Sequence, residues 1–233
     1  MDIFSSNLEI ILFPLLAILP GVVWLLIFLR EDAHPEPPGM ILRVFLFGSL
    51  SAIPVILIFN FTESLLGVFF SLLLVKVIII AAIAPFLEEI TKYLVVRFSA
   101  LKHPECDEPV DFMIYAVTAA LGFATVENII FLLPIAEFSL QELVTDSFIR
   151  FVGATLLHAI ASGIMGYFLA VSVLQKKKFL ALLGVLVAII LHALYNSFIL
   201  LNIANVFIPL LLVIFLFILF LCFNRLRNVD FCR

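Results

Sequence analysis

Apolar residues run in long, nearly unbroken stretches along this chain, and the polar ones gather in the short intervals between them. A helix rises about 1.5 Å per residue, so about 20 apolar residues cross the roughly 30 Å hydrocarbon core of a bilayer. Seven stretches qualify: Leu8–Leu29, Met40–Phe61, Leu65–Arg97, Val110–Leu133, Phe148–Leu174, Phe179–Leu201 and Ile203–Phe223. The pattern predicts an all-α, polytopic membrane helix bundle of about seven transmembrane helices. It forms a single domain over residues 1–233, with its chemistry in the helices covering about residues 84–200. As one helix, the third stretch would be about 50 Å long, which predicts a tilt, a protrusion or a break near Pro85. Lys76 in its first half is expected to snorkel or to pair with a carboxylate. A short turn at Asn202 and Asn205 divides the last two stretches.

Composition agrees with a multi-pass protein of the cell membrane. Of 233 residues, 65% are hydrophobic and 13% charged, and the mean hydropathy of +1.30 lies outside the range of soluble domains. A net charge of -4, with basic residues scattered at the edges of spans, gives no stripe for a nucleic acid. The expected surroundings are the lipid bilayer. Cys106, Cys222 and Cys232 have neither metal spacing nor an even count, so they read as free thiols. The first stretch has no basic region ahead of it and reads as a retained helix. Every second connection is basic: Arg30 and Arg43, then Arg97 and Lys102, then Lys176, Lys177 and Lys178, then Arg225, Arg227 and Arg233. The N-terminus, the Asn60–Ser64 link and the Pro134–Ser147 loop carry Asp2, Glu63, Glu137, Glu142 and Asp146, and Arg150 alone breaks that rule. This bias predicts the N-terminus outside and the C-terminus in the cytoplasm. The proline-rich stretch Glu31–Pro38 reads as an extended loop. His34-Pro35-Glu36 and its echo His103-Pro104-Glu105 read as structural turns, since neither brings a second well-spaced ligand.

Against this background Glu88-Glu89-Ile90-Thr91-Lys92 stands out, because ionisable groups within an apolar span are costly and mark function by default. On a helix Lys92 is i+4 from Glu88 and i+3 from Glu89, so it can partner either carboxylate. Three later spans add Glu127 with Asn128, His158 with Ser162, and His192 with Asn196. Counted at 1.5 Å per residue from the outer edge, Glu127 lies about 9 Å deep, His192 about 14 Å, His158 about 15 Å and Glu88 about 16 Å. Four helices thus offer carboxylate or imidazole at similar depth. Singly, each histidine or asparagine has a plain reading as interhelical hydrogen-bonding glue. Together, two histidines with glutamates suit Zn²⁺ or a similar divalent metal, with Glu127, His158, His192 and Glu88 as ligands. The same groups also suit metal-free attack by water, with a glutamate taking its proton and histidine and asparagine donating to the oxyanion. No Gly-x-Ser-x-Gly, cysteine–histidine or His-Glu-x-x-His arrangement is present.

These motifs resemble those of the PrsW intramembrane proteases, distant relatives of the CAAX prenyl endopeptidases. Glu88 to Lys92 matches Glu-Glu-x-x-Lys, Phe123 to Asn128 matches Phe-x-x-x-Glu-Asn, and His158, His192 and Asn196 follow in order. The acidic, proline-rich loop Glu31–Pro38 and the entry from Asp111 to Tyr115 are also similar, with Phe112 where the family pattern has glycine. The resemblance implies an intramembrane endopeptidase, a metalloprotease or a metal-independent glutamate protease, cutting an anti-sigma-factor-like membrane protein. It implies catalytic roles for Glu88, Glu89, Glu127, His158, His192 and Asn196, with Glu88 activating water and Asn196 as oxyanion donor. Two other readings accompany it: a non-catalytic scaffold of the same superfamily, and a proton or cation transporter. A transporter would be expected to show a continuous polar path and an inverted repeat, and no internal repeat stands out in the chain.

Overall fold

The computed structural model describes residues 3–68, 75, 77–133, 140–201, 203–227 and 229. Among them the architecture is all-helical. Helix α1 (Ile3–Phe28) runs through a 3-10 turn (Leu29–Glu31) into the proline-rich loop, and α2 (Pro38–Gly67) follows. A five-residue π turn (Ile79–Ile83) leads directly into α3 (Ala84–Ser99), and α4 is Asp111–Leu132. Helix α5 (Leu140–Arg150) joins α6 (Leu156–Leu174) through a second π turn (Phe151–Thr155), and α7 (Lys178–Leu200) and α8 (Ala204–Leu226) close the chain.

Six stretches of the described residues are long and apolar enough to cross a membrane: Leu12–Glu31, Pro38–Leu66, Asp111–Leu132, Leu140–Leu174, Lys178–Leu200 and Phe207–Leu226. They coincide with six of the seven stretches read from the sequence. The remaining one holds α3, whose Glu88, Glu89 and Lys92 set it apart from purely apolar spans. Lys76, Glu137, Asn202 and Cys232 lie outside the described residues. Two connections differ from expectation. Asn60–Ser64 is helical, because its polar residues include no glycine or proline to stop α2 before Gly67. The loop after α4 gives way to helix from Leu140, since Leu143 buries itself beside Ala17 and Leu132 and Ser147 donates to Leu16 O (2.7 Å). Neither Cys106 nor Cys222 is joined in a disulfide among the described residues.

Helix α4 is the axis of the bundle. Every residue from Asp111 to Thr125 is buried, as befits a helix apolar around its whole circumference. Small residues let its neighbours come close: a Cβ on Gly122 would lie 2.1 Å from Phe45 O, one on Gly48 2.1 Å from Ala119 O, and one on Gly166 2.5 Å from Phe112 O. Close backbone approach at small residues is how membrane helices gain packing without a hydrophobic driving force between them. The outer face of α2, by contrast, exposes Leu42, Leu46, Leu50, Ile53, Leu57 and Phe61 at helical spacing, a lipid-facing stripe.

The two π turns explain how the spans bend near their polar residues. In the first, the Ala84 N–H bonds to Ile79 O, one residue further back than in an α-helix. Continuing that register would assign Ile80 O to the N–H of residue 85, which is proline and has none. The carbonyl is satisfied from α7, where Asn196 Nδ2 donates to it at 2.9 Å. In the second, Phe151 O accepts from Trp24 Nε1 at 2.8 Å. The expected break near Pro85 therefore takes the form of a widened turn held by a side chain from another helix. Such insertions recur at functional sites.

Candidate active site

Glu88, Glu89 and Lys92 project from one face of α3 and are all buried. Lys92 Nζ is the hub, lying 2.7 Å from Glu89 Oε1, 2.6 Å from His158 Nδ1 and 3.6 Å from Glu88 Oε2. It also sits 4.6 Å from the centre of the Phe123 ring on α4, a cation–π contact. His158 Nε2 meets Glu127 Oε2 at 2.7 Å. Because an ammonium only donates, His158 Nδ1 is the acceptor and its proton sits on Nε2, directed to Glu127. Glu89 collects three donors: Lys92, Ser162 Oγ (3.2 Å to Oε2) and His192 Nδ1 (3.0 Å to Oε1). The two imidazoles meet edge to face, their centres 5.0 Å apart.

Glu88 differs from its neighbour. Its Oε2 is buried and has no hydrogen-bond partner, although His192 Nδ1 stands 3.8 Å away and His158 Nδ1 4.0 Å. Glu88, Glu127, His158, His192, Tyr195 and Asn196 line one cavity of about 270 Å³, closed on its other side by Phe131, Ile149 and Arg150. That space would hold a few water molecules or a short piece of backbone. A broader apolar groove between α5, α6, α7 and α8 shares Ile149, Tyr195 and Ile199 with it.

All six residues singled out in the sequence therefore come together, though in different settings. Glu88, Glu127, His158, His192 and Asn196 line the cavity, and Glu89 stands behind them, fully buried. Asn196 commits one N–H to Ile80 O, which ties the α3 break to α7. Four other residues complete the network. Arg150 stacks on Phe131 (4.5 Å), bonds Asn128 Oδ1 through Nε (2.5 Å) and approaches Glu127 Oε2 (3.7 Å), while Asn128 Nδ2 donates to Thr155 Oγ1 (3.1 Å). Arg150 was visible in the sequence as the basic residue on the acidic side, and the reason for its place is Glu127. The contacts of Lys92 with Glu88 and Glu89 follow from its spacing, whereas its bond to His158 and the anchoring role of Ser162 depend on distances between helices and left no separate signal.

One donor atom each from Glu88, Glu89, His158 and His192 lies within 4.8 Å of the others, all four residues being buried, a spacing and chemistry that fit a divalent metal. His192 is well set for it, since Nδ1 on Glu89 leaves Nε2 for a ligand, the carboxylate–histidine pairing common behind metals. Lys92 competes at His158 Nδ1 and Glu89 Oε1. Glu127 is outside this group and orients His158 from the far side. Chemically, the arrangement presents a buried carboxylate oxygen that accepts no hydrogen bond, imidazoles and a cavity with room for a few waters. Those are the parts needed to activate water toward a carbonyl.

The family model described as "PrsW family intramembrane metalloprotease" matches residues 36–222, most of the chain. The relative named Protease PrsW from Geobacillus kaustophilus (strain HTA426) is 33% identical over 180 residues, covering 76% of this chain and 75% of the relative. Protease PrsW of Oceanobacillus iheyensis is 31% identical over 77% of this chain and 79% of the relative. That of Halalkalibacterium halodurans is 31% identical over 85% and 89%. No solved structure matches significantly. With this likeness spanning the helices that carry the buried carboxylates and histidines, the chain belongs to the PrsW family of intramembrane proteases and is a multi-pass membrane protein.

Proposed function

We propose that this protease hydrolyses a peptide bond in a membrane-anchored protein of the anti-sigma-factor kind, using a water held and deprotonated by Glu88. The observation that carries the reading is the unpartnered, buried Glu88 Oε2 at the wall of the cavity. A buried oxygen without a donor costs free energy unless a ligand completes it, and a water in the cavity would do so. Glu88 takes the proton of that water. Glu89 is a positioning residue that neutralises Lys92 and fixes the tautomer of His192. The second N–H of Asn196 can steady the developing oxyanion, His192 joins it when its Nε2 is protonated, and His158, with both ring nitrogens engaged by Lys92 and Glu127, holds the wall of the site. Glu88, His158 and His192 are the residues that would hold a divalent ion, Zn²⁺ being the choice for mixed imidazole and carboxylate donors, and it would polarise the carbonyl and acidify the water.

In this reading the chain crosses the membrane seven times, the Ile79–Ser99 segment supplying the remaining crossing. The N-terminus lies outside and the C-terminus in the cytoplasm. Support comes from the ends of the helices: Arg30, Arg43, Arg97, Lys102, Lys176, Lys177, Lys178, Arg225 and Arg227 alternate with the acidic connections. The site then lies in the outer half of the bilayer, suited to a cut near the extracytoplasmic face.

The test is cleavage of a single-span anti-sigma-factor substrate by purified protein reconstituted in vesicles. Wild type should release a product with a defined new terminus. Glu88→Gln and His192→Ala should not, while keeping wild-type helicity. Cleavage by well-folded Glu88→Gln at the wild-type rate would overturn the assignment.

A further inference from the structure

At the other end of the bundle, about 24 Å along α4 from Glu127 to Asp111, three more carboxylates are buried: Asp32, Glu36 and Asp111. Asp32 and Glu36 come from the loop ahead of α2, which Pro35 and Pro37 stiffen, and Asp111 opens α4. One oxygen of each lies within 4.8 Å of the others. Some of their oxygens are accounted for. Asp32 Oδ1 accepts the His34 N–H (3.0 Å), Asp111 Oδ2 accepts the Glu108 N–H (2.6 Å), and Glu36 Oε2 accepts the Tyr115 hydroxyl. Asp32 Oδ2 is not: it is buried without a partner, on a residue only 7% exposed.

The nearby positive groups are engaged elsewhere. Arg227 bonds Glu31 through its carbonyl (2.9 Å) and carboxylate (2.7 Å), and His34 Nδ1 bonds Glu108 Oε1 (2.6 Å). Among the described residues, none of the three carboxylates forms an ion pair. The starts of α2 and α4 favour anions, but such fields fade within a turn and leave Asp32 Oδ2 without a donor. Burial accordingly pushes the Asp32 and Glu36 carboxyls above their ordinary values.

We propose that Asp32, Glu36 and Asp111 form a binding site for one hard divalent cation of the Mg²⁺, Ca²⁺ or Mn²⁺ class, distinct from the Glu88 centre. The donors are all oxygen, which selects hard ions over Zn²⁺. The orphaned Asp32 oxygen is a ligand atom that no protein donor engages. A bound ion would pin the loop ahead of α2 to the start of α4, the two helices that approach most closely at Gly48 and Gly122. This site does not depend on the hydrolytic reading.

The probe is Mn²⁺ alone, followed by paramagnetic resonance on purified protein stripped with a chelator. His158→Ala serves as the background that disables the other candidate centre. His158→Ala should bind one Mn²⁺ and wild type at least one, displaced by excess Mg²⁺ or Ca²⁺. Asp32→Asn and Glu36→Gln should weaken it beyond the roughly 10–100-fold typical of losing a mere outer partner. Competition by Mg²⁺ in the wild type needs no variant, so a folding defect in either variant does not rescue or sink the idea. No Mn²⁺ on His158→Ala would overturn the proposal. So would unchanged binding by Asp32→Asn, or a melting temperature that rises in Asp32→Asn yet ignores Mn²⁺ in wild type, the signature of carboxyls sharing protons.

Discussion

Glutamine substitutions at adjacent positions on α3 should separate a stability role from a chemical one. Glu89 accepts from Lys92 at 2.7 Å, His192 at 3.0 Å and Ser162 at 3.2 Å. Glu89→Gln leaves the fully buried ammonium with Glu88, 3.6 Å away, as its remaining close carboxylate. Breaking a buried ion pair from one side costs about 3–5 kcal/mol, which at about 2–4 °C per kcal/mol for a chain of this size lowers the melting temperature by about 10 °C. Glu88→Gln removes a carboxylate whose Oε2 accepts no hydrogen bond and meets Lys92 only at 3.6 Å, so its cost should stay well below that of Glu89→Gln. Its effect on cleavage should be the larger one, about 10²–10⁴-fold for loss of a general base. Melting can be followed by intrinsic fluorescence, because the one tryptophan, Trp24, bonds the π turn that precedes His158. Glu89→Gln melting with the wild type, or Glu88→Gln keeping cleavage within threefold, would refute the division of roles.

Further predictions follow from the same contacts. Asn196→Ala leaves Ile80 O, on the exposed side of the π turn, without its donor and should cost about 1–3 kcal/mol, seen as a lower melting temperature together with faster amide exchange across the π turn. Gly122→Ala would press a Cβ to within 2.1 Å of the Phe45 carbonyl, which is backbone and cannot swing aside. A loss of about 1–3 kcal/mol is expected, read in the same melt. The carboxyls of Asp32 and Glu36, raised above 3.8 and 4.5, bind protons more tightly folded than unfolded. Their contribution to stability is thus full below those ordinary values and is lost as pH rises through the raised ones. In chelator the melting temperature should fall as pH climbs from about 4 toward 7, with Asp111, Glu108, His34 and Arg227 facing the same cluster, and Mg²⁺ should flatten that slope. A flat profile in chelator would contradict it. Metal analysis of purified protein should find an ion that His192→Ala loses, and equal metal content in the two would remove the central four-donor group as its holder.

The sequence made most of the fold and much of the site readable because membrane burial is written in plain composition. Long apolar runs gave the spans, and charged residues inside such runs could only be clustered together, so Glu88, Glu127, His158 and His192 announced one another by depth. The Glu-Glu-x-x-Lys spacing also anticipated that Lys92 would meet both carboxylates. Relations between helices were less accessible. That Asn196 holds Ile80 O depends on a π turn created by a proline on a different helix, and no spacing within α7 encodes it. Arg150 looked like a topological exception until Glu127 and Asn128 were found beside it. Asp32 was read only as part of a stiff loop and Glu36 as part of a structural turn without a second well-spaced ligand, since their third partner, Asp111, lies more than seventy residues away. The helical ends at Gly67 and Leu140 were missed because polar residues near a membrane edge need not interrupt a helix.

The most direct test of the central claim is cleavage in H₂¹⁸O, with the new carboxyl terminus of the membrane-anchored substrate read by mass spectrometry. Hydrolysis by water held at Glu88 predicts a single ¹⁸O in that carboxylate from wild type and no product from folded Glu88→Gln. A labelled product formed as readily by Glu88→Gln would contradict the account.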